Sequence, residues 1–121
     1  PMENKFKASR FIDQIMVIGE NQKHPAALIV PEFAFCKDWC TRKGFNFSTN
    51  QELAESPELK ERIWEEIAEF NKDYGNFEQI KKIELCSTPW TIETEELTPS
   101  LKLKRKIILK KYSHLVDAIY R

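Results

Sequence analysis

Residues 12–31, IDQIMVIGENQKHPAALIVP, contain two apolar segments separated by a polar one. The β-branched and apolar side chains at residues 15–18 predict a strand, and residues 26–30 predict a second strand that Pro31 ends. The polar residues between them, 19–25, are too many for a two-residue turn. Together these features predict an antiparallel hairpin with a longer-than-minimal loop.

The clearest helix signal lies at residues 56–75, SPELKERIWEEIAEFNKDYG. Ser56 suits the N-cap and Pro57 the first helical position, while Gly75 is the expected C-cap. Apolar residues recur here at three- and four-residue steps, which places them on one face of the helix: Leu59, Ile63, Ile67, Phe70 and Tyr74. The glutamates between them are expected to face solvent.

Weaker signals on both sides complete the set of elements. They predict a short helix, a helix ended by Gly44, a third strand and two terminal helical pieces, at residues 2–9, 33–43, 80–86, 104–112 and 114–120. A hairpin, followed by a third strand reached through a long helical crossover, predicts a small three-stranded mixed sheet with helices packed on it. The fold class is therefore α+β, and 121 residues suffice for one domain.

Composition excludes several classes of function. The chain has 19 basic and 19 acidic residues, so its formal net charge is zero and bulk attraction to nucleic acid or an anionic membrane is not expected. No apolar run approaches the roughly 20 residues that span a bilayer, and residues 1–10 lack the apolar core of a signal peptide. Because the chain starts with proline, we expect it to be processed or cut from a longer protein.

Three cysteines, an odd number, do not suggest a disulfide framework. Cys36 and Cys40 lie four residues apart in a predicted helix and Cys86 is distant, so a reducing compartment is expected. Two of these cysteines could bind zinc together with His24 or His114, but the paired spacing of structural zinc sites is missing. Buried free thiols are the better interpretation, and no metal ligand is assigned.

Residues 95–108, EELTPSLKLKRKII, place a basic run directly after a Thr-Pro pair. The residue before a proline is pushed out of the helical conformation, so Lys102 is predicted to lie on a loop just before a helix. Leu101 and Leu103 alternate with the lysines and are expected to anchor this loop while Lys102 points away. A flexible ammonium on an anchored loop suits contact with a phosphate or a carboxylate.

A plainer interpretation of the same run is a solvated basic face without a ligand. Nucleic-acid binding is disfavoured because the run is short and contains no interleaved aromatic residues. The nearby Glu93, Glu95 and Glu96 could act as paired carboxylates, but a solvated acidic loop is the expected interpretation. His24 is expected to be an exposed loop histidine. No serine stands in a glycine elbow, so a serine nucleophile has no support.

The segment ELTPSLKLKR, residues 96–105, resembles the C-terminal signature of long-chain fatty-acid–CoA ligases, which are AMP-forming adenylating enzymes. Residues 12–31 resemble the hairpin of that family's small domain, and PMENKF at residues 1–6 resembles the helix that enters it. The resemblance covers essentially the whole chain. Two positions depart from the usual motif, since Ser100 replaces a threonine and Glu95 replaces a glycine, and neither departure alters the lysine.

The resemblance implies that residues 1–121 are a single small, mobile C-terminal domain whose hinge and N-terminal domain are absent. The parent would be an ATP-dependent long-chain fatty-acid–CoA ligase that makes an acyl-adenylate and then rotates this domain for thioester formation. By motif match, Lys102 is the implied catalytic lysine for adenylation. Arg105, Thr98 and Ser100 are the implied contacts to substrate or nucleotide, and no metal ligand is implied.

The cofactors and partners that the resemblance implies belong to the full enzyme. They are ATP, Mg²⁺, coenzyme A, a fatty acid and the N-terminal adenylation domain, and the fragment alone is expected to bind no cofactor and to be inactive. We expect a cytoplasmic location, and leave peripheral membrane association of the parent open because long-chain acids partition into bilayers. The alternative is a stand-alone interaction module whose basic loop binds an acidic or phosphorylated partner.

Overall fold

The computed structural model describes residue 6 and residues 8–121. Within that part, three strands and five helices follow in chain order: β1 (Ile12–Ile18), β2 (Ala26–Pro31), α1 (Phe33–Arg42), α2 (Asn50–Ala54), α3 (Pro57–Asn71), β3 (Lys82–Leu85), α4 (Arg105–Lys111) and α5 (Ser113–Ile119). The helix predicted over residues 2–9 lies largely outside the described residues. None of the helices in the described ranges is long and apolar enough to cross a membrane.

The three strands form one mixed sheet in the order β1-β2-β3. β1 and β2 pair antiparallel, with Ile15 opposite Ile29, as the hairpin prediction requires. β2 and β3 pair parallel, with Ala27 opposite Ile83, because α1, α2 and α3 carry the chain across between them. The predicted α+β fold, with a hairpin and a crossover strand, is confirmed.

Both faces of the sheet are covered, so every residue of the central strand β2 is buried. Alternate side chains of a strand point to opposite faces, and this alternation separates two apolar cores. The first core joins Ile15 and Ile29 to α1 and α3. The second core joins Met16 and Leu28 to Trp90 and to the terminal helices α4 and α5. The basic segment before α4 therefore rests on the second core.

Helix α3 begins where its local sequence predicts. The Ser56 hydroxyl accepts a hydrogen bond from the Leu59 amide at 3.1 Å, and Pro57 is the first helical residue. The predicted C-cap at Gly75 is wrong, because the helix already ends at Asn71. The predicted apolar stripe is confirmed, since three of its members are fully buried in the first core and the other two pack at its edge.

The buried side chain of Asn71 explains the early end of α3. Its amide nitrogen donates to the Ile80 carbonyl at 2.8 Å, and its amide oxygen accepts from the Ile80 amide at 3.0 Å. These bonds also shorten the strand predicted over residues 80–86 to β3, because the backbone of Ile80 pairs with a side chain instead of with β2. The two terminal helices lie within one residue of their predicted bounds.

Candidate functional site

Lys102 lies on a short loop before α4, as predicted. Leu97 and Leu103 form an antiparallel bridge at the base of this loop, and we call residues 97–103 the lysine loop. The Thr98 amide donates to the Lys102 carbonyl at 2.9 Å, and the Lys102 amide donates to the Thr98 hydroxyl at 3.0 Å. Both the amide and the carbonyl of Lys102 are therefore held by Thr98, while the residue is exposed to solvent.

The tip of the lysine loop is a turn in which the Leu101 amide donates to the Thr98 carbonyl at 2.8 Å. Leu101 has φ +66 and is 64% exposed. The prediction that Leu101 anchors the loop is wrong, because a left-handed residue interrupts the extended alternation on which the prediction rests. Leu103 does pack against the second core. A left-handed leucine costs about 1–2 kcal/mol, so the tip is strained next to Lys102.

The other predicted site residues lie in or directly after the lysine loop. The Thr98 and Ser100 hydroxyls are 3.1 Å apart. Arg105 begins α4, and its guanidinium donates a hydrogen bond to the Val17 carbonyl of β1. All four predicted residues, Lys102 included, lie within residues 98–105, and Arg105 ties this segment to the sheet.

Glu96 departs from the prediction of a solvated acidic loop, because its side chain is buried. Its carboxylate accepts hydrogen bonds from the Thr91 amide at 3.0 Å, from the Thr94 hydroxyl, and from the Lys111 ammonium at 2.6 Å. We call these four residues the Glu96 cluster. The two neighbouring glutamates are exposed, as expected.

The cluster keeps the Glu96 carboxyl charged. Burial alone would raise the pKa of this group, but the hydrogen bonds from Lys111, Thr94 and Thr91 outweigh burial and hold the pKa below its ordinary value of 4.5. Lys111 also donates to the Thr94 carbonyl. Lys111 therefore bonds the turn before the lysine loop while 42% of its side chain stays exposed.

A second, partly buried contact fixes the chain at Trp90, before the lysine loop. The Gln14 side chain accepts from the Trp90 amide at 2.7 Å and donates to the Trp90 carbonyl at 2.8 Å. The Trp90 ring is buried in the second core. Strand β1 therefore holds the segment on both sides of the loop, through Gln14 before it and through the carbonyl that Arg105 contacts after it.

The cysteines and His24 contribute to the fold. All three cysteines are buried, and burial raises the pKa of Cys36 and Cys86 to about 12.

His24 is half-buried, which corrects the expectation of an exposed histidine. Its carbonyl accepts a hydrogen bond from the Tyr120 hydroxyl at 2.8 Å, and the His24 and Tyr120 ring centroids are 5.0 Å apart. In the described residues, no three His, Cys, Asp or Glu side chains are arranged to hold a metal ion.

Several open clefts lie along α3. One has a volume of about 560 Å³ and a lining that includes Lys60 and His114, and another has a volume of about 480 Å³ and a lining that includes Trp64. No residue of the lysine loop lines either cleft. Lys102 is therefore exposed outside these two clefts.

Glu96, Lys111 and Gln14 are the residues that sequence reasoning missed. Glu96 and Lys111 lie 15 residues apart, and Gln14 lies 76 residues from Trp90. Neither separation fits the spacing of partners on one helix or across one tight turn, so no local signal would have paired them.

The family model of the AMP-binding enzyme C-terminal domain matches residues 1–121. The chain therefore belongs to the AMP-binding enzyme C-terminal domain family. Among curated proteins, it is 34% identical over 124 residues to a long-chain acyl-CoA synthetase of Arabidopsis thaliana. It is 31% identical over 122 residues to long-chain-fatty-acid–CoA ligase 1 of Homo sapiens, and 28% identical over 120 residues to a long-chain fatty-acid–CoA ligase of Mycobacterium tuberculosis.

These three matches cover 99%, 98% and 98% of this chain but 18%, 17% and 20% of the relatives. The chain therefore spans about a fifth of the length of the curated relatives that it matches.

Solved structures contain the same fold. The adenylation domain of a carboxylate reductase from Mycobacterium chelonae aligns with a TM-score of 0.74 at 22% identity, covering 98% of this chain and 17% of that one. The A domain of a carboxylic acid reductase from Segniliparus rugosus, solved with AMP and a co-purified carboxylic acid, aligns with a TM-score of 0.75 at 19% identity and the same coverage. At these identities the likeness supports the fold alone.

Proposed function

We propose that this chain is the small C-terminal domain of an ATP-dependent, AMP-forming long-chain fatty-acid–CoA ligase, and that Lys102 supplies a cation for adenylation of the fatty acid. The observation that carries the proposal is an exposed lysine on a backbone fixed from both sides, in a chain that matches the AMP-binding enzyme C-terminal domain over its whole length. The names of the three curated relatives support a fatty acid as the substrate.

The first half-reaction joins two anions. As the fatty-acid carboxylate attacks the α-phosphate of ATP, negative charge accumulates on the phosphate oxygens and pyrophosphate leaves. The Lys102 ammonium would hold the carboxylate and the nucleotide oxygens together and offset their repulsion. The Thr98 hydroxyl fixes the Lys102 amide, and the Ser100 hydroxyl, 3.1 Å from that of Thr98, would contact the nucleotide.

The rest of the ligase would complete the site. Because the matching family model describes a C-terminal domain, we assign ATP, the fatty acid and the magnesium ion to an N-terminal adenylation domain. Movement of the small domain would then withdraw Lys102 before coenzyme A attacks the adenylate to give the thioester and AMP. The bond from Arg105 to the Val17 carbonyl favours a role in orienting the loop over contact with phosphate.

Replacing Lys102 tests the proposed role. In the full-length ligase, we expect Lys102→Ala to lower the rate of adenylation about 100- to 1,000-fold, because one preorganised charged group is lost from the transition state. Transfer from a supplied acyl-adenylate to coenzyme A should change little. Pyrophosphate exchange measures the first half-reaction, and thioester release from the synthetic adenylate measures the second.

Lys106→Ala is the matched control, because Lys106 is an exposed lysine four residues away on α4. It should leave both half-reactions near their original rates. Equal loss of both half-reactions in Lys102→Ala would mean that the residue is structural, and no loss in either would refute the proposed function. The alternative of a stand-alone interaction module gains no support from the relatives named above, and the cytoplasmic location stays a prediction.

A further inference from the structure

The Glu96 cluster joins three parts of the chain at the base of the lysine loop. The Glu96 carbonyl accepts a hydrogen bond from the Lys104 amide at 2.8 Å, so the backbones that enter and leave the loop meet at this residue. The Glu96 side chain holds the preceding turn through Thr91 and Thr94. Through Lys111, the same carboxylate also holds the last turn of α4. One residue thus links all three parts: its backbone carbonyl closes the loop, and its side chain joins the turn to the helix.

From this geometry we infer that Glu96 and Lys111 are positioning residues, which set the place and direction of Lys102 without contacting substrate. The inference rests on the proposed function of Lys102. Glu96 is 4% exposed, and it accepts bonds from both sides of the segment, so the carboxylate is directed inward rather than toward a ligand.

A charged pair suits this task better than an apolar contact would. Apolar side chains pack without directional preference, whereas each hydrogen bond of the cluster fixes a distance and an angle. The left-handed backbone of Glu95, with φ +73, turns the chain so that the Glu96 carboxylate can reach the Thr91 amide. The lysine loop is therefore oriented by a specific ion pair between a buried carboxylate, Glu96, and a partly exposed ammonium, Lys111.

The first test measures whether the pair acts through Lys102. In the full-length ligase, Glu96→Gln and Lys111→Met should each lower the kcat of adenylation about 10- to 100-fold. The KM for ATP should change less than about twofold, because a displaced Lys102 ammonium stabilises the transition state less but hardly alters the binding of ATP. Transfer from a supplied acyl-adenylate should be unaffected. Lys111→Arg, which can still bond the carboxylate, should retain most of the activity.

The Lys102→Ala background separates positioning from general damage. In that background, Glu96→Gln should cause no further loss of adenylation, because the residue that it positions is already absent. The same 10- to 100-fold loss in both backgrounds would overturn the inference. If Lys102→Ala alone has no effect, the proposed function fails instead, so the two failures are distinguishable. Glu93→Gln, which changes an exposed glutamate of the same turn, is the control and should behave as the unmodified ligase.

The second test measures the geometry without catalysis. Amide hydrogen exchange of Lys102 and Lys104 reports the bonds to the Thr98 hydroxyl and to the Glu96 carbonyl. Glu96→Gln should speed exchange at both amides at least about tenfold while leaving β2 amides unchanged. Should Glu96→Gln fail to fold, Thr94→Val can replace it, because it removes only one of the hydrogen bonds to the carboxylate. It should speed exchange at the same two amides by a smaller factor. Unchanged exchange at Lys102 and Lys104 in a folded variant would overturn the inference.

Discussion

Leu101 combines a left-handed backbone with an exposed apolar side chain, directly before the lysine that we propose to be catalytic. Its backbone costs about 1–2 kcal/mol, and a largely exposed side chain offsets little of that cost. The turn to Thr98 and the bridge at the loop base hold the strained shape in place. Strain that is held in this way commonly marks a functional loop, and here it fixes one orientation of the chain at Lys102.

Leu101→Gly tests whether this strain is present. Glycine adopts positive φ without steric cost but adds entropy to the unfolded chain, so we expect the free energy of unfolding to stay the same or rise by about 1 kcal/mol. Urea unfolding followed by circular dichroism measures the change. Leu103→Gly is the control, because it removes a half-buried side chain and should lower the free energy by about 2 kcal/mol. Equal losses in both variants would contradict a strained tip.

The sequence predicts the exposed position of Lys102 better than it predicts the contacts that hold the lysine loop in place. The Thr-Pro pair correctly indicates a turn, and the turn places Lys102 outside a helix. Leu101 is predicted wrongly because alternation of side chains assumes an extended backbone, and its positive φ breaks that assumption. The buried Glu96 carboxylate is paired with Lys111, which lies 15 residues away. The sequence around Glu96 therefore does not indicate that this side chain is buried.

At the scale of secondary structure elements, the first residue of helix α3 is easier to predict than its last. Helix α3 starts at a serine cap and a proline, both of which act through neighbouring residues. Its end depends on Asn71, whose side chain pairs with a backbone nine residues later. Gly75 offered a local end signal, but a long-range contact ended the helix first.

Asn71→Ala should reveal how much this contact stabilises the crossover into β3. The substitution leaves the buried amide and carbonyl of Ile80 without their partner, so we expect the free energy of unfolding to fall by about 2 kcal/mol or more. Urea unfolding measures the change. Asn76→Ala is the matched control, since Asn76 is an exposed asparagine in the following turn, and its loss should cost less than about 0.5 kcal/mol. Similar costs for the two variants would show that the Asn71 bonds contribute little.

Across the whole molecule, acid should weaken the fold in part through Glu96. The folded pKa of this carboxyl lies below its ordinary value of 4.5, so its contribution to stability is present above that pH and is lost as pH falls through the folded pKa. The free energy of unfolding should therefore fall more steeply in acid for the unmodified chain than for Glu96→Gln. Urea unfolding at pH values between about 3 and 6 measures both slopes.

Glu93→Gln, with its exposed side chain, controls for general loss of carboxylates and should keep the slope of the unmodified chain. Parallel pH curves for the unmodified chain and Glu96→Gln would contradict a charged, stabilising Glu96.

The overall architecture is the part that the sequence predicts most fully. Alternating strands, a hairpin and a helical crossover leave few ways to arrange three strands, and the predicted mixed sheet is confirmed. The links between β1 and the segment around the lysine loop are harder to predict from the sequence. Gln14 of β1 bonds to Trp90, and Arg105 bonds to a carbonyl of β1, so both links join residues that are remote in sequence. Such links depend on how the finished elements pack, and no single segment contains them.

Trp90 gives the half of the molecule that carries Lys102 its own optical signal. The protein has three tryptophans; Trp39 and Trp64 pack at the first core, and Trp90 is buried in the second. In a chain with Trp39→Phe and Trp64→Phe, indole fluorescence would come from the second core alone. A change in the packing of the second core, on which the lysine loop rests, could then be followed over time without an added label. The signal would not include changes in the first core, on the other face of the sheet.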